Sequence, residues 1–134
     1  MEQSVILEKE FYVETSSQPG TTCELTSWLA QTGNINIKSL WGGTYSGKGH
    51  FSFITEDYAK TREVLESSPY RHFREEEVIV VYVKDQIGST SEITNKLNNA
   101  GVNINWLYTT SYNGKPAIVL SCDNNNRAFE AIKH

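Results

Sequence analysis

Positive charge, cysteine and long apolar runs are all scarce in this chain. Its 134 residues carry 12 Lys and Arg against 16 Asp and Glu, a formal net charge of −4. That balance rules out the broad basic surface on which nucleic-acid binding depends, so no nucleic-acid partner is expected. No apolar stretch is long enough for a membrane helix, and Met1-Glu2-Gln3-Ser4 has neither the basic start nor the apolar run of a secretory leader. A cytoplasmic location with no membrane contact is the expectation. Cys23 and Cys122 stand on different expected elements without metal-ligand spacing, which fits reduced thiols better than a disulfide framework.

Catalytic constellations are missing too. His50, His72 and His134 are isolated, with no H-x-x-x-H, His-Cys or Ser-His-Asp context, so no metal, no cofactor and no enzymatic activity are expected. Gly42-Gly43-Thr44-Tyr45-Ser46-Gly47-Lys48 imitates the front of a phosphate loop. Gly49 replaces the hydroxyl residue that would hold magnesium, and a strand follows instead of a helix, so the stretch reads as a hairpin. The run Arg74-Glu75-Glu76-Glu77 reads as a solvated strand end or hairpin.

What is present is a strand–loop–helix–strand unit that occurs twice. Residues 78–83, Val-Ile-Val-Val-Tyr-Val, form the most apolar run and read as a central strand. Gly88 then turns the chain into a helix over 89–100, which Gly101 ends before Val102-Asn103-Ile104. Earlier, a strand over 4–15 leads through Ser17-Gln18-Pro19-Gly20 to a helix over 21–32 that ends at Gly33 before Ile35-Asn36-Ile37. Gly20 and Gly88 are 68 positions apart, as are Gly33 and Gly101, Leu25 and Ile93, and Leu29 and Leu97. Thr21-x-x-Glu24 and Ser89-x-x-Glu92 both have the pattern of a capping box.

The remaining elements follow the same plan. Strands over 35–45 and 50–55 flank a turn at Gly47-Lys48-Gly49. Asp57 caps a helix with Tyr58, Thr61 and Leu65 on its buried face, and a short strand over 70–74 closes the first unit. A second hairpin, 102–111 and 116–121, turns at Asn113-Gly114, and a last helix after Asp123 buries Ala128, Ala131 and Ile132. Trp41, Trp106, Tyr108 and Tyr112 fall on strands read as inner, where packing is the default role. The fold class is α+β: two ferredoxin-like β-α-β-β-α-β units over 1–76 and 77–134, each an antiparallel sheet with its helices on one face. The second unit lacks its last strand, and nothing in its own sequence covers the edge left behind. No linker separates the halves, and each is small for independent stability. One packed body and a homodimer are therefore expected.

At the two glycine junctions the chain resembles the ACT domains, small β-α-β-β-α-β modules that bind amino acids. The resemblance rests on Asp85-Gln86-Ile87-Gly88 with Ala100-Gly101-Val102-Asn103-Ile104, and on Ser17-Gln18-Pro19-Gly20 with Thr32-Gly33-Asn34-Ile35-Asn36-Ile37. Trp106-Leu107-Tyr108 also resembles a segment of small bacterial proteins made only of two tandem ACT domains. It departs from the family at Ser17, at the extra residue Asn34, and at Ile87, where the family has proline. The resemblance implies ligand positions at Asp85, Ile87, Gly88, Ser89, Asn103 and Ile104, with Ser17, Gly20, Thr21 and Asn36 as a weaker set. The expected chemistry is backbone N–H groups of Gly88 and Ser89 for a carboxylate, Asp85 for an ammonium, and Asn103 as donor and acceptor. On the residues alone, Asp85 as a helix cap and Asn103 as a turn residue remain the alternative. The implied role is a non-catalytic regulatory module that binds a small effector and acts on a regulated enzyme. The other reading is a ligand-free dimerisation module of the same fold.

Overall fold

A computed structural model describes residues 4–16, 18, 20–70 and 72–133. The elements in order are β1 (Ser4–Ser16), α1 (Thr21–Ser27), β2 (Ile37–Tyr45), β3 (Lys48–Thr55), α2 (Tyr58–Glu66), β4 (Arg74–Tyr82), α3 (Ser89–Asn99), β5 (Ile104–Tyr112), β6 (Lys115–Cys122) and α4 (Asn125–Lys133), with a π-helical stretch, Trp28–Thr32, continuing α1. The chain divides into two units, Lys9–Glu76 and a second formed by residues 4–8 with 77–133.

In the unit Lys9–Glu76 the strands are ordered β2-β3-β1, with the first residues of β4 beside β1. β3 pairs antiparallel with both neighbours, Phe53 opposite Phe11 on one side and Leu40 on the other. Alternation puts Phe11, Val13, Phe51 and Phe53 on the helix face. There they form a core with Leu25, Leu29 and Leu65 from the helices. Asp57 caps α2 by accepting the Lys60 N–H at 3.0 Å, as its position before the apolar stripe implies.

The second unit has the order β5-β6-β4, with the first residues of β1 beside β4. Its core joins Ile79 and Val81 of β4 and Ile118 and Leu120 of β6 to Ile93, Leu97, Ala128 and Ile132 of the helices, and Val5 packs against it. Burying one such side chain contributes about 1.5–3 kcal/mol. The strand that this repeat lacks at its own end is thus taken from the start of the chain, which answers the open edge. Both expected ferredoxin-like units are present.

Several local readings change. No separate strand occupies 72–73. β4 starts at Arg74 and runs unbroken to Tyr82, so the charge run Arg74–Glu77 is the beginning of the apolar strand. The first hairpin turns at Ser46 and Gly47, φ 52° and 72°, rather than at Gly47–Gly49, and so matches Asn113 and Gly114, φ 54° and 76°. These left-handed pairs suit the twist of a two-residue hairpin. β2 and β5, which carry Trp41, Trp106, Tyr108 and Tyr112, are edge strands, not inner ones. Both bulge near their start, between Ile37 and Ser39 and between Ile104 and Trp106. Among the described residues, no helix is long and apolar enough to cross a membrane.

Candidate functional site

The two glycine junctions adopt one geometry. Gly20 precedes α1 with φ 89° and ψ −8°, and Gly88 precedes α3 with φ 91° and ψ −6°. Both are left-handed, a conformation costing a side-chain-bearing residue about 1–2 kcal/mol, and no atom lies within 4 Å of where a Cβ would stand. Glycine is kept there for its φ alone.

The capping boxes do not form. Neither helix has a side-chain cap. The Thr21 hydroxyl turns backward, donating to the Gln18 carbonyl at 2.9 Å and lying 3.3 Å from that of Ser16. The Ser89 hydroxyl does the same, donating to the Lys84 carbonyl at 2.6 Å. A glycine cap in the left-handed region replaces the side-chain cap, and the freed hydroxyl closes the loop. The Ser89 N–H also points into the loop, donating to the Gln86 carbonyl at 3.3 Å. A carboxylate held jointly by the Gly88 and Ser89 N–H groups therefore meets competition at Ser89. The N–H groups of the next two positions, Thr90 and Ser91, have no partner within an α-helix, and the positive end of the helix dipole lies with them.

Beside this junction is a cleft of about 530 Å³, lined by Val83, Lys84, Asp85, Gln86, Ser89 and Thr90 on one side and by Thr109, Thr110, Ser111 and Pro116 among others on the opposite side. The threonines and serine of β5 were not flagged by the sequence. The exposed positions of Thr109 and Ser111 in an alternating strand were the signal that could have found them. Asp85 is exposed, so a charge there is available to a ligand and heavily screened. Ile87 is fully exposed at the loop.

The Gly20 junction has a cleft of about 490 Å³ that includes Glu14, Gln18, Thr21, Glu24 and Tyr70. Among the described residues its lining carries two carboxylates and no cation, whereas Lys84 and Asp85 balance in the other cleft. Glu14 pairs with Lys48 at 2.9 Å, which holds its carboxyl below the usual range. Burial, with the Glu24 carboxylate beside it, pushes the Tyr70 phenol up to about 12. Ser17 lies outside the described residues.

Asn103 and Ile104 are not at the Gly88 junction. They follow the far end of α3, whose 11 residues separate them from Gly88 by about 16 Å. One amino acid cannot touch Asp85 and Asn103 of the same chain. Asn103 instead braces the start of α4: its N–H donates to Asp123 Oδ1 at 3.1 Å and its carbonyl accepts the Asp123 N–H at 3.0 Å. Asn36 repeats the second bond, its carbonyl accepting the Glu56 N–H at 3.0 Å. Asn36 is likewise beyond the far end of its helix from Gly20 and Thr21. Among the described residues no group of three or more His, Cys, Asp or Glu is placed to hold a metal.

No protein-family model matches the chain, and no curated protein matches it. Solved structures do. Protein BT0572 from Bacteroides thetaiotaomicron superposes with a TM-score of 0.82 at 22% identity, over 96% of this chain and 88% of that one. The ligand-free regulatory subunit of aspartate kinase from Thermus thermophilus superposes at 0.63 with 17% identity, over 98% and 97%. The regulatory subunit of aspartate kinase from Thermus flavus gives 0.65 at 14% identity, over 98% and 95%. These likenesses establish the fold, and it is the tandem ACT fold that the two junction motifs imply.

Proposed function

We propose that this tandem ACT fold is a non-catalytic regulatory module, cytoplasmic, that binds a small amino acid at the Gly88 junction and passes its occupancy to a partner enzyme. The observation that carries the reading is the helix start itself: α3 begins at a left-handed glycine without a side-chain cap, beside a cleft that also holds Asp85. A carboxylate suits the N–H groups of Gly88, Thr90 and Ser91, with Ser89 as a weaker fourth donor, and the ammonium suits Asp85. Ile87 adds apolar surface at the rim. Asn103 and Ile104 enter such a site only from a second copy of the chain, which ties them to the homodimer. Gly20, Thr21, Asn36 and Ser17 are the corresponding positions of the other repeat. Glu14 and Glu24 in its described lining disfavour a carboxylate, so this repeat is the weaker site or a scaffold.

A thermal-shift screen of the twenty amino acids tests the reading, since a ligand at a hundred times its Kd adds about 2.7 kcal/mol of stability. Affinity should lie between about micromolar and millimolar, roughly 4–8 kcal/mol. By titration calorimetry, Asp85→Ala should lose about 1.5–3 kcal/mol of it. No loss from Asp85→Ala would reduce the junction to a helix start.

A second reading is favoured by Leu40 and Leu107. They occupy equivalent places on the edge strands β2 and β5 and are 39% and 37% exposed. A ligand-free module that dimerises through these edges accounts for both. A dimer by analytical ultracentrifugation, with no amino acid shifting the melting temperature, would favour it over effector binding. A monomer at micromolar concentration would remove the homodimer from both readings.

A further inference from the structure

We infer that Glu10, buried with an unsatisfied Oε2, is neutral in the folded unit Lys9–Glu76 and makes the stability of that unit depend on pH. Glu10 precedes Phe11 on β1 and so lies on the sheet face away from the helices. It is 2% exposed, and its Oε2 has no hydrogen-bond partner among the described residues. For an ionised carboxylate, acceptor-only, that is a costly place.

The groups around it do not relieve the cost. The neighbouring strand β4 presents Glu76, a second negative charge acting on Glu10, and β3 presents the Ser52 hydroxyl, which hydrogen-bonds to it. Tyr12 is next on the same face of β1. Arg74, the cation of this stretch among the described residues, is engaged elsewhere: its guanidinium is 4.3 Å over the Tyr12 ring and its Nε is 4.0 Å from Glu76 Oε1.

A neutral Glu10 resolves the arrangement. It removes the charge from a buried, unsatisfied oxygen and with it the like-charge repulsion from Glu76. Burial first, and then the Glu76 charge, push the Glu10 carboxyl up to about 7, against the lowering effect of Ser52. The folded value lies above the unfolded one of 4.5, so the folded chain holds the extra proton between them. The stability this supports is complete below the unfolded value, declines as pH rises toward 7, and stays level above it.

Denaturant unfolding of the full chain and its Glu10→Gln and Glu76→Gln variants from pH 5 to 8 tests the neutral Glu10. Relative to Glu10→Gln, the natural chain should lose folding equilibrium constant about tenfold per pH unit between pH 5 and 6.5, and level off above pH 7.5. Glu76→Gln should keep that slope but level off at a lower pH. Should Glu10→Gln fail to fold, the carboxyl carbon shift of Glu10, followed by NMR in the natural chain and in Glu76→Gln, decides alone. A Glu10 that titrates in the ordinary carboxylate range, or a natural chain whose pH profile is that of Glu10→Gln, would overturn the proposal.

Discussion

From its starting glycine to its left-handed exit, the first helix of the unit Lys9–Glu76 takes 15 positions, Gly20 to Asn34, whereas its counterpart takes 14, Gly88 to Gly101. The extra residue is absorbed by the π-helical stretch Trp28–Thr32, whose wider turn holds one more residue than an α-turn. Both exits then reach the same point. The Ile35 N–H donates to the Leu29 carbonyl, six residues back, and the Val102 N–H to the Leu97 carbonyl, five back. The structural counterpart of Gly101 is therefore Asn34, φ 50°, and not Gly33, whose φ is −100°. The offset between repeats is 68 before the π-turn and 67 after it, as the Asn36–Asn103 and Glu56–Asp123 brackets agree. One fold thus tolerates an insertion by changing helix type while both buried leucines keep their places.

If this is right, deleting a residue separates the repeats more than any substitution. Removing Asn95 from α3 turns Leu97 about a quarter-turn away from Ile93. Both are buried in one core, and the loss should be about 2–5 kcal/mol, that of a large core truncation. Removing Gln31, exposed in the π-stretch, should restore ordinary α-geometry and cost at most about 1 kcal/mol. Urea unfolding measures both. Equal losses would show that the π-turn is built into the packing and not a spacer.

The same element marks the limit of what the sequence disclosed. The fold was legible because the apolar positions form a continuous β-branched run in Val78–Val83, recur at helical spacing in Leu25/Leu29 and Ile93/Leu97, and are punctuated by turn glycines. The π-turn was not, since Trp28–Thr32 carries no propensity signal that distinguishes it from α-helix, and the match of Gly33 to Gly101 hid it. The capping boxes misled for a related reason. Thr21 and Ser89 stand one position inside the helix, and a glycine in the left-handed region had already taken the cap. At the candidate site, the junction was readable from Gly20 and Gly88. The separation of Asp85 from Asn103 needed only the length of α3, but family likeness drew them together. The role of β1's first residues as the second unit's missing strand is non-local, and no window of sequence contains it.

A smaller contrast is available at the two glycines once taken as equals. A Cβ on Gly33 would stand 2.6 Å from Ile35 Cδ1 and 3.0 Å from Val64 Cγ2, whereas Gly101, φ 70°, has only Arg127 Nη2 at 4.0 Å. Gly33 is required for space and Gly101 for conformation. Gly33→Ala should cost about 1–3 kcal/mol through overpacking. Gly101→Ala should cost about 1–2 kcal/mol through its positive φ. Asparagine separates the causes, because it tolerates the left-handed region. Gly101→Asn should recover most of the loss, and Gly33→Asn should be worse than Gly33→Ala. Rescue at both positions in urea titrations would mean that Gly33 also needs backbone freedom.

The mildest contrast lies at the ends of the edge strands, where Tyr45 and Tyr112 pair with Lys48 and Lys115 in equivalent places. Tyr45 is 58% exposed and stacks on His50 with ring centroids 3.7 Å apart. Tyr112 is fully buried, and its hydroxyl donates to Glu8 Oε2 at 3.0 Å. Burial and then the Glu8 charge hold the Tyr112 phenol well above its usual range. A folded value above the unfolded one of 10 means that the neutral phenol supports the fold. That support is complete below pH 10 and is lost as pH rises beyond it. Tyr112→Phe should cost about 1 kcal/mol at neutral pH, the worth of one hydrogen bond to a charged group in a half-buried setting. It should also flatten the fall in stability above pH 10. Tyr45→Phe should leave the neutral stability unchanged. Guanidinium unfolding at pH 7 and at pH 10.5 gives the comparisons. An alkaline fall that survives Tyr112→Phe would assign it to another phenol, and the hydrogen bond to Glu8 would then contribute packing geometry without proton linkage.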